Sequence, residues 1–168
     1  AAVIMGVNPW KSPLDLWLEK TGELADDEDN EAMYWGRMLE DMVAGEFAKR
    51  TGKQVRRKNS LIKSKKHPFM LANIDRDVVG ERAGLECKTT SGFYEDTGEC
   101  PAHYYPQIQH YMAVLGYEKW YVAVLAGGQR FYIYEVPRNE AYIDEMISKE
   151  RQFWDLVLSD TPPVADSG

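Results

Sequence analysis

The sequence has little cysteine or histidine: two cysteines, Cys87 and Cys100, and three histidines among 168 residues. Two thiols cannot build a disulfide framework or a four-thiolate metal site. His67, His103 and His110 also lack the spacing of zinc ligands. We therefore expect free thiols and a reducing, cytoplasmic location.

Long apolar stretches are also absent. There is no run of 18 apolar residues that could span a membrane and no recognisable secretory signal. The chain opens on Ala1 instead of methionine, so we expect part of the natural start to be missing. The sequence contains no Gly-x-x-x-x-Gly-Lys, Gly-x-Ser-x-Gly or Cys-x-x-Cys motif. P-loop nucleotide hydrolases, serine hydrolases of the α/β type and thiol redox proteins are therefore without support.

The composition is that of an ordinary globular protein, with 44% apolar and 28% charged residues. The length suits a single domain over residues 1–168. We expect residues 1–30 to form an N-terminal helical segment with an acidic loop, and residues 159–168 to form a mobile tail.

Charge is distributed unevenly along the chain. The net charge is −7, from 20 basic and 27 acidic side chains. Residues 21–31 hold six acids and no base, whereas residues 49–66 hold nine bases and no acid. Such a basic segment can contact nucleic-acid phosphates even on an acidic protein, or it can be the solvated edge of a hairpin. The candidate phosphate-binding residues are Arg56, Arg57, Lys58, Lys63, Lys65 and Lys66.

Capping residues and hydrophobic alternation predict the element order ααβββαββα, an α+β domain on a mixed sheet. Ser12-Pro13 and Asn30 are helix start signals, and Gly52 and Gly116 are stop signals. The predicted helices cover residues 13–20, 31–50, 103–115 and 139–158, and the predicted strands cover 54–63, 69–79, 85–90, 119–125 and 130–136. The apolar side of the second helix is expected to consist of Met38, Met42, Val43 and Phe47.

The third predicted strand carries the pattern most suggestive of chemistry. Glu86 and Lys88 share one face because strand side chains alternate, and Cys87 points to the other. A turn near residues 81–82 brings residues 74–77 opposite residues 86–89, which adds Asp75 to this face. Two carboxylates are hard ligands for Mg²⁺ or Mn²⁺, and a nearby lysine can orient the attacking water. Asp77 lies two residues after Asp75 and so on the same face, which makes it a competing candidate. The alternative explanation of the whole pattern is an ordinary surface ion pair across a hairpin.

Two helices carry further polar groups. Glu40 lies one turn after Gly36, which permits a close approach of backbone or substrate. Gln107 and Tyr111 lie four residues apart on the helix that follows the third strand, and a glutamine there can support a carboxylate ligand or a water. Each is also consistent with an ordinary solvent-facing side chain.

The ordered set Glu40, Asp75, Glu86-Cys87-Lys88 and Gln107-x-x-x-Tyr111 resembles the PD-(D/E)XK nuclease superfamily, and in particular the YqaJ-type viral recombinases of the lambda-type phage exonuclease family. The segment from Gly6 to Pro13 is similar to that family's N-terminal segment. The resemblance extends from about Met5 to about Leu158. It implies a restriction-endonuclease-like mixed sheet flanked by helices.

The resemblance also implies metal-dependent hydrolysis of DNA. Asp75, Glu86 and the Cys87 carbonyl would hold Mg²⁺, for which Mn²⁺ substitutes, and Lys88 would act on the nucleophilic water. Glu40 would complete the acidic cluster, and Gln107 would support it. Double-stranded DNA is the expected substrate, with a single-strand annealing protein and further copies of the chain as candidate partners.

The sequence departs from the family pattern at two places. Ile74 replaces the usual proline before the first motif aspartate, which keeps Asp77 as an alternative ligand. The upstream arginine and serine that hold a terminal phosphate precede Ala1 or are absent. A catalytically inactive member that only binds DNA or a partner is the alternative function. A relative with an iron–sulfur cluster is excluded, because two cysteines cannot supply four thiolates.

Overall fold

The structure is a computed structural model that describes residues 1–25 and 28–164. Asp26 and Asp27, in the predicted acidic loop, and residues 165–168, in the predicted tail, lie outside the described residues.

Within these ranges the chain forms four helices and seven strands. The helices are α1 (Pro13–Lys20), α2 (Glu31–Thr51), α3 (Tyr105–Leu115) and α4 (Glu140–Leu158). The strands are β1 (Val55–Arg57), β2 (Ile62–Lys63), β3 (Leu71–Ala72), β4 (Arg76–Val78), β5 (Ala83–Thr90), β6 (Lys119–Ala126) and β7 (Arg130–Pro137). No helix in the described ranges is both long and apolar enough to cross a membrane.

Five of the strands form one mixed sheet in the order β1-β4-β5-β6-β7. β5 and β6 run parallel, with α3 in the connection between them, and the other neighbouring strands are antiparallel. This arrangement confirms the predicted α+β class with a mixed sheet. The remaining strands, β2 and β3, pair antiparallel as a separate two-stranded ribbon.

The predicted start and stop signals of α1 and α2 are observed. Ser12 accepts from the Asp15 N–H with Pro13 in the first turn, and Asn30 accepts from the Met33 N–H. The C-cap Gly52 of α2 has φ 71°, a left-handed conformation that glycine adopts without strain. The third helix begins at Tyr105, two residues later than expected.

The predicted apolar side of α2 is wrong in part. Val43 and Phe47 are buried in a cluster with Leu85 of the sheet, as expected. Met38 and Met42, however, are 55% and 68% exposed. Residues 43 and 47 lie one turn apart and define the face toward β5, and the 100° step per residue places 38 and 42 on the far side of the helix.

The two long strands predicted before residue 80 are also corrected. Residues 54–63 divide into β1 and β2, and residues 69–79 divide into β3 and β4, because each chain segment leaves one sheet to pair in another. The hairpin register differs by two residues from the prediction. Arg76 pairs with Leu85 and Asp77 with Gly84, because the turn is centred at Gly80 and Glu81 instead of residues 81–82.

Contacts divide the chain into two compact units. The first comprises residues 1–28, 102–110 and 139–168, and in it the Trp17 indole N–H donates to the Leu156 carbonyl at 3.2 Å, which joins α1 to α4. The second comprises residues 29–101 and 111–138, which include α2 and all seven strands. In the second unit Trp120 lies against Gly84, where an added Cβ would come within 2.2 Å of the ring, so only glycine fits.

Candidate active site

Strand β5 places Glu86 and Lys88 on one face of the sheet. The Lys88 ammonium lies 2.8 Å from Glu86 Oε1, so the two side chains form an ion pair. Cys87 points to the opposite face, where it packs against the cluster formed with α2. The alternation expected of a strand is therefore present at these three residues.

Asp75 lies immediately before β4 and reaches across to β5. Continuing the observed register, in which Arg76 pairs with Leu85, places Asp75 opposite Glu86. The Cys87 backbone N–H donates to Asp75 Oδ2 at 2.9 Å, which fixes the carboxylate beside the strand. The structure thus brings Asp75, Glu86 and Lys88 to one place.

The surroundings of Asp75 and Glu86 raise the pKa of both carboxyl groups. Burial raises the pKa of Glu86 to about 7, against the opposing effect of Lys88 and with a further contribution from Asp75. Burial also raises the pKa of Asp75, and the Glu40 carboxylate adds to that increase while the Cys87 N–H opposes it. Glu86 is 4% exposed, and among the described residues no group hydrogen-bonds its Oε2 atom. A buried carboxylate oxygen that accepts no hydrogen bond is energetically unfavourable, and a bound cation would give it a partner.

Glu40 approaches from α2 and is held by Arg76, a residue that the sequence analysis did not select. The buried Arg76 guanidinium donates to Glu40 Oε1 at 2.5 Å and to the Asp75 carbonyl at 2.9 Å, and it also pairs with Asp41. Arg57 faces Arg76 across the β1–β4 pair and binds Asp41 too. The only sequence signal for Arg76 is its position between Asp75 and Asp77.

Asp77, the alternative ligand in the sequence analysis, is already saturated with donors. It accepts from the Tyr117 hydroxyl at 2.6 Å, from Lys58 Nζ at 3.2 Å and from Arg56 at 3.4 Å. Burial opposes ionisation, but the hydrogen bonds from Tyr117 and Lys58 outweigh it, and the pKa of Asp77 lies below its usual value. Asp77 therefore has little free capacity for a metal ion.

A polar cleft of about 290 Å³ opens beside Asp75 and Glu40. Basic and amide side chains complete its wall: Arg37, Arg57, Lys58, Arg76, Asn59 and Asn73. Four cationic groups around two carboxylates suit an anionic, hydrogen-bonding ligand such as a phosphodiester.

The remaining predicted residues lie on α3 and on the β2–β3 ribbon. Gln107 lies half-buried on α3 in the first of the two units, and its support of the site stays a prediction. Lys63, Lys65 and Lys66 lie on the β2–β3 ribbon and are exposed. Within residues 1–25 and 28–164, none of these three lysines forms an ion pair, in contrast to Arg56, Arg57 and Lys58.

No group of three His, Cys, Asp or Glu side chains in the described parts of the chain stands close enough to hold a metal ion. Asp75 and Glu86 nevertheless fit a hard divalent cation chemically, since each offers a carboxylate and one Glu86 oxygen has no donor. A backbone carbonyl, such as that of Cys87, is the usual way to complete such a set.

Comparison with known proteins agrees with this fold. The family model of the YqaJ-like viral recombinase domain matches residues 1–118, and the chain belongs to that family. An uncharacterised protein YqaJ of Bacillus subtilis (strain 168) is 47% identical over 174 residues, which cover 99% of this chain and 54% of that protein. The chain therefore spans about half the length of the curated relative that it matches.

Solved structures of exonucleases share the architecture. An alkaline exonuclease, LHK-Exo, from Laribacter hongkongensis superposes with a TM-score of 0.75 at 19% identity, covering 95% of this chain and 87% of that one. The same enzyme in complex with dAMP gives a TM-score of 0.71 at 19% identity, with 95% and 85% covered. A phage-related exonuclease from Haemophilus somnus 129PT gives 0.67 at 14% identity, with 88% and 81% covered. At these identities the likeness shows the fold alone.

Proposed function

We propose that this chain is a metal-dependent deoxyribonuclease that hydrolyses phosphodiester bonds at duplex DNA ends during phage or prophage recombination. The observation that carries the proposal is the meeting of Asp75, Glu86 and Lys88 on adjacent strands, with one Glu86 oxygen buried and without a donor. Membership of the YqaJ-like viral recombinase family and the exonuclease fold support it.

Asp75 and Glu86, with the Cys87 carbonyl, would hold Mg²⁺, and Mn²⁺ would substitute. The bound cation would supply a more acidic water and a counter-charge for the phosphate oxygens. Both carboxyl groups must be ionised to bind it, so the cation must overcome the burial that raises their pKa values.

Lys88 would change its hydrogen-bond partner when the cation binds. It pairs with Glu86 at 2.8 Å, and a cation on Glu86 would repel the ammonium and direct it toward the attacking water. The water oxygen forms a bond to phosphorus as the water gives up a proton to the solvent. The bond from phosphorus to the leaving sugar oxygen breaks, and that oxygen takes up a proton from the solvent. Lys88 would stabilise the negative charge that develops on the phosphate.

Arg76 and Glu40 would act on the position of Asp75. Arg76 ties Glu40 on α2 to the Asp75 carbonyl, and so it joins the helix to the metal-binding edge. Glu40 would complete the acidic cluster beside the cleft, and Gln107 remains a candidate supporting residue from the family pattern.

The partner is proposed to be double-stranded DNA. The cleft beside Asp75 is lined by basic residues, and the related LHK-Exo has been crystallised with dAMP. A single-strand annealing protein and further copies of this chain are candidate partners because the resemblance implies a recombination exonuclease.

The decisive experiment compares two substrates. Purified protein is incubated in Mg²⁺ with end-labelled linear duplex and with closed circular DNA, with a chelator control. We expect the linear duplex to be degraded, the circle to persist, and the chelator to stop the reaction. Cleavage of both substrates would indicate an endonuclease. Binding of DNA without cleavage of either, in Mg²⁺ or Mn²⁺, would favour the inactive DNA-binding member.

A further inference from the structure

We propose that the β2–β3 ribbon holds the phosphate backbone of duplex DNA several base pairs away from the cleaved bond. This proposal rests on the proposed function and deepens it, since it assigns a backbone-contacting surface to the same protein. It divides the basic segment, residues 49–66, into two parts, of which only the ribbon contacts DNA away from the cleaved bond.

The ribbon begins at the cleft. Ile62 pairs with Ala72 and Lys63 with Leu71, and the chain on both sides leads directly to Asn59 and Asn73, which line the cleft wall. The base of the ribbon is thus continuous with the candidate active site, and its tip is the end that lies farther along the chain from Asp75.

The tip carries three exposed lysines on an ordered backbone. Lys63, Lys65 and Lys66 are exposed, and in the described parts of the chain they form no ion pair. The loop is fixed by three hydrogen bonds: Ser64 N–H to the Met70 carbonyl at 3.0 Å, His67 N–H to Ser64 Oγ at 3.0 Å, and Met70 N–H to the His67 carbonyl at 2.9 Å. Ser64 and Met70 are 4% and 1% exposed, so the loop is anchored at its inner side.

The length of the ribbon sets its reach. Leu71, which pairs with Lys63, is four residues from Asp75, a distance of at most about 13 Å in extended chain. Lys65 and Lys66 lie two to three residues further, so the lysines stand at most about 23 Å from the site along the chain. With one base pair per 3.4 Å, the ribbon therefore reaches no further than about seven base pairs of duplex.

Lysines on the edge of a ribbon can also simply discourage strand-to-strand aggregation. The two functions predict different salt dependence. Three phosphate contacts release condensed counterions, so they add about three units to the slope of log affinity against log salt, whereas a solvated edge adds none.

The test uses a triple variant, Lys63→Ala, Lys65→Ala and Lys66→Ala. Its control is Lys20→Ala, Arg82→Ala and Arg130→Ala, which removes the same charge from exposed positions outside the cleft and ribbon that carry no ion pair in the described parts of the chain. Binding to a duplex of about 24 base pairs is measured over a range of salt in Ca²⁺, which suppresses cleavage. We expect the slope to fall by about two to three units for the ribbon variant and to stay unchanged for the control.

A second measurement separates this proposal from the proposed function. Hydrolysis of the p-nitrophenyl ester of thymidine 5′-phosphate in Mn²⁺ reports on the metal site without any duplex. We expect wild type and ribbon variant to hydrolyse it at equal rates. If the wild type does not hydrolyse this ester, the proposed nuclease activity is wrong, but the salt dependence of binding still tests the ribbon. An unchanged slope, or an equal fall in the control, would overturn the ribbon's role.

Discussion

Asp75 and Asp77 stand two residues apart, Asp75 just before β4 and Asp77 in the middle of it, and their surroundings differ. Asp77 receives hydrogen bonds from Tyr117, Lys58 and Arg56, which lower its pKa against the effect of burial. Asp75 receives one backbone N–H, and its burial, with the nearby Glu40 carboxylate, raises its pKa. Asp77 is therefore a satisfied, structural carboxylate, whereas Asp75 belongs to an acidic cluster in which one buried Glu86 oxygen accepts no hydrogen bond from the described residues.

The difference has a local cause. Arg56 pairs with Asp77 in the β1–β4 register, which puts a base directly opposite that carboxylate. Asp75 lies beyond the last pair of β4, opposite Glu86, so its cross-strand neighbour is another acid. Acids that meet each other without enough donors are typical of functional sites, and those with donors are typical of structural ion pairs.

The largest effect is expected when the acidic cluster loses a ligand. Replacing Glu86→Ala removes the carboxylate with the free oxygen and should reduce DNA cleavage at least about a hundredfold. Steady-state cleavage of linear duplex in Mg²⁺ measures this, with circular dichroism to confirm folding. Undiminished cleavage by a folded variant would contradict the site.

Metal binding compares the two aspartates directly. Asp75→Asn should abolish calorimetric Mn²⁺ binding or weaken it by roughly ten- to a hundredfold, because a ligand is lost. Asp77→Asn is the matched control, and it should bind Mn²⁺ nearly as wild type does while being less stable. If only the Asp77 variant lost binding, the assignment of the ligand would be reversed.

Glu86 and Asp77 should also respond oppositely to pH in metal-free protein. The pKa of Glu86 in the folded chain is about 7 against an ordinary value of 4.5, so the native state binds the proton more tightly. Glu86 therefore contributes up to about 3 kcal/mol to the free energy of unfolding at low pH, and this contribution is lost as the pH rises through 7. Asp77 acts in the opposite direction because its pKa is lowered. Its contribution to the free energy of unfolding is present near neutral pH and is lost on acidification below its usual pKa.

Urea unfolding of the chelator-treated protein at pH 5, 7 and 8 measures these contributions. Glu86→Gln should remove the decrease in stability between pH 5 and 8, since the amide does not titrate. Asp77→Asn should leave that decrease in place. A wild-type stability that is flat across this interval would show that Glu86 does not take up a proton on folding.

The sequence alone could predict the elements with strong local signals. Ser12-Pro13, Asn30 and Gly52 define helix ends through contacts within a few residues, and strict alternation defines Glu86-Cys87-Lys88 as a strand. The convergence of Asp75 with Glu86 was also predictable, because a hairpin joins neighbouring segments.

Features that depend on distant segments were not predictable. The division of residues 54–63 and 69–79 between two sheets depends on which strand each half meets, and no local pattern records that. The exposure of Met38 and Met42 depends on which side of α2 lies on β5. Arg76 belongs to the site because it contacts Glu40 and Asp41 of α2. These contacts span 36 and 35 positions of the sequence, respectively.

The basic segment gives the smallest predicted effect and extends the comparison. In the sequence, Arg56, Arg57 and Lys58 resemble Lys63, Lys65 and Lys66, but the structure pairs the first three with Asp77 and Asp41. A base that keeps its carboxylate partner neutralises less phosphate charge, so fewer cations are released from the DNA when it binds. Replacing such a base therefore changes the salt dependence less. Changing Arg56, Arg57 and Lys58 together to Ala should therefore lower the salt slope of duplex binding by about one unit or less, against two to three for the ribbon variant. Parallel titrations of both variants on one duplex in Ca²⁺ decide between them. A larger fall for the paired residues would mean that DNA phosphates displace Asp77 and Asp41 from their bases when the duplex binds.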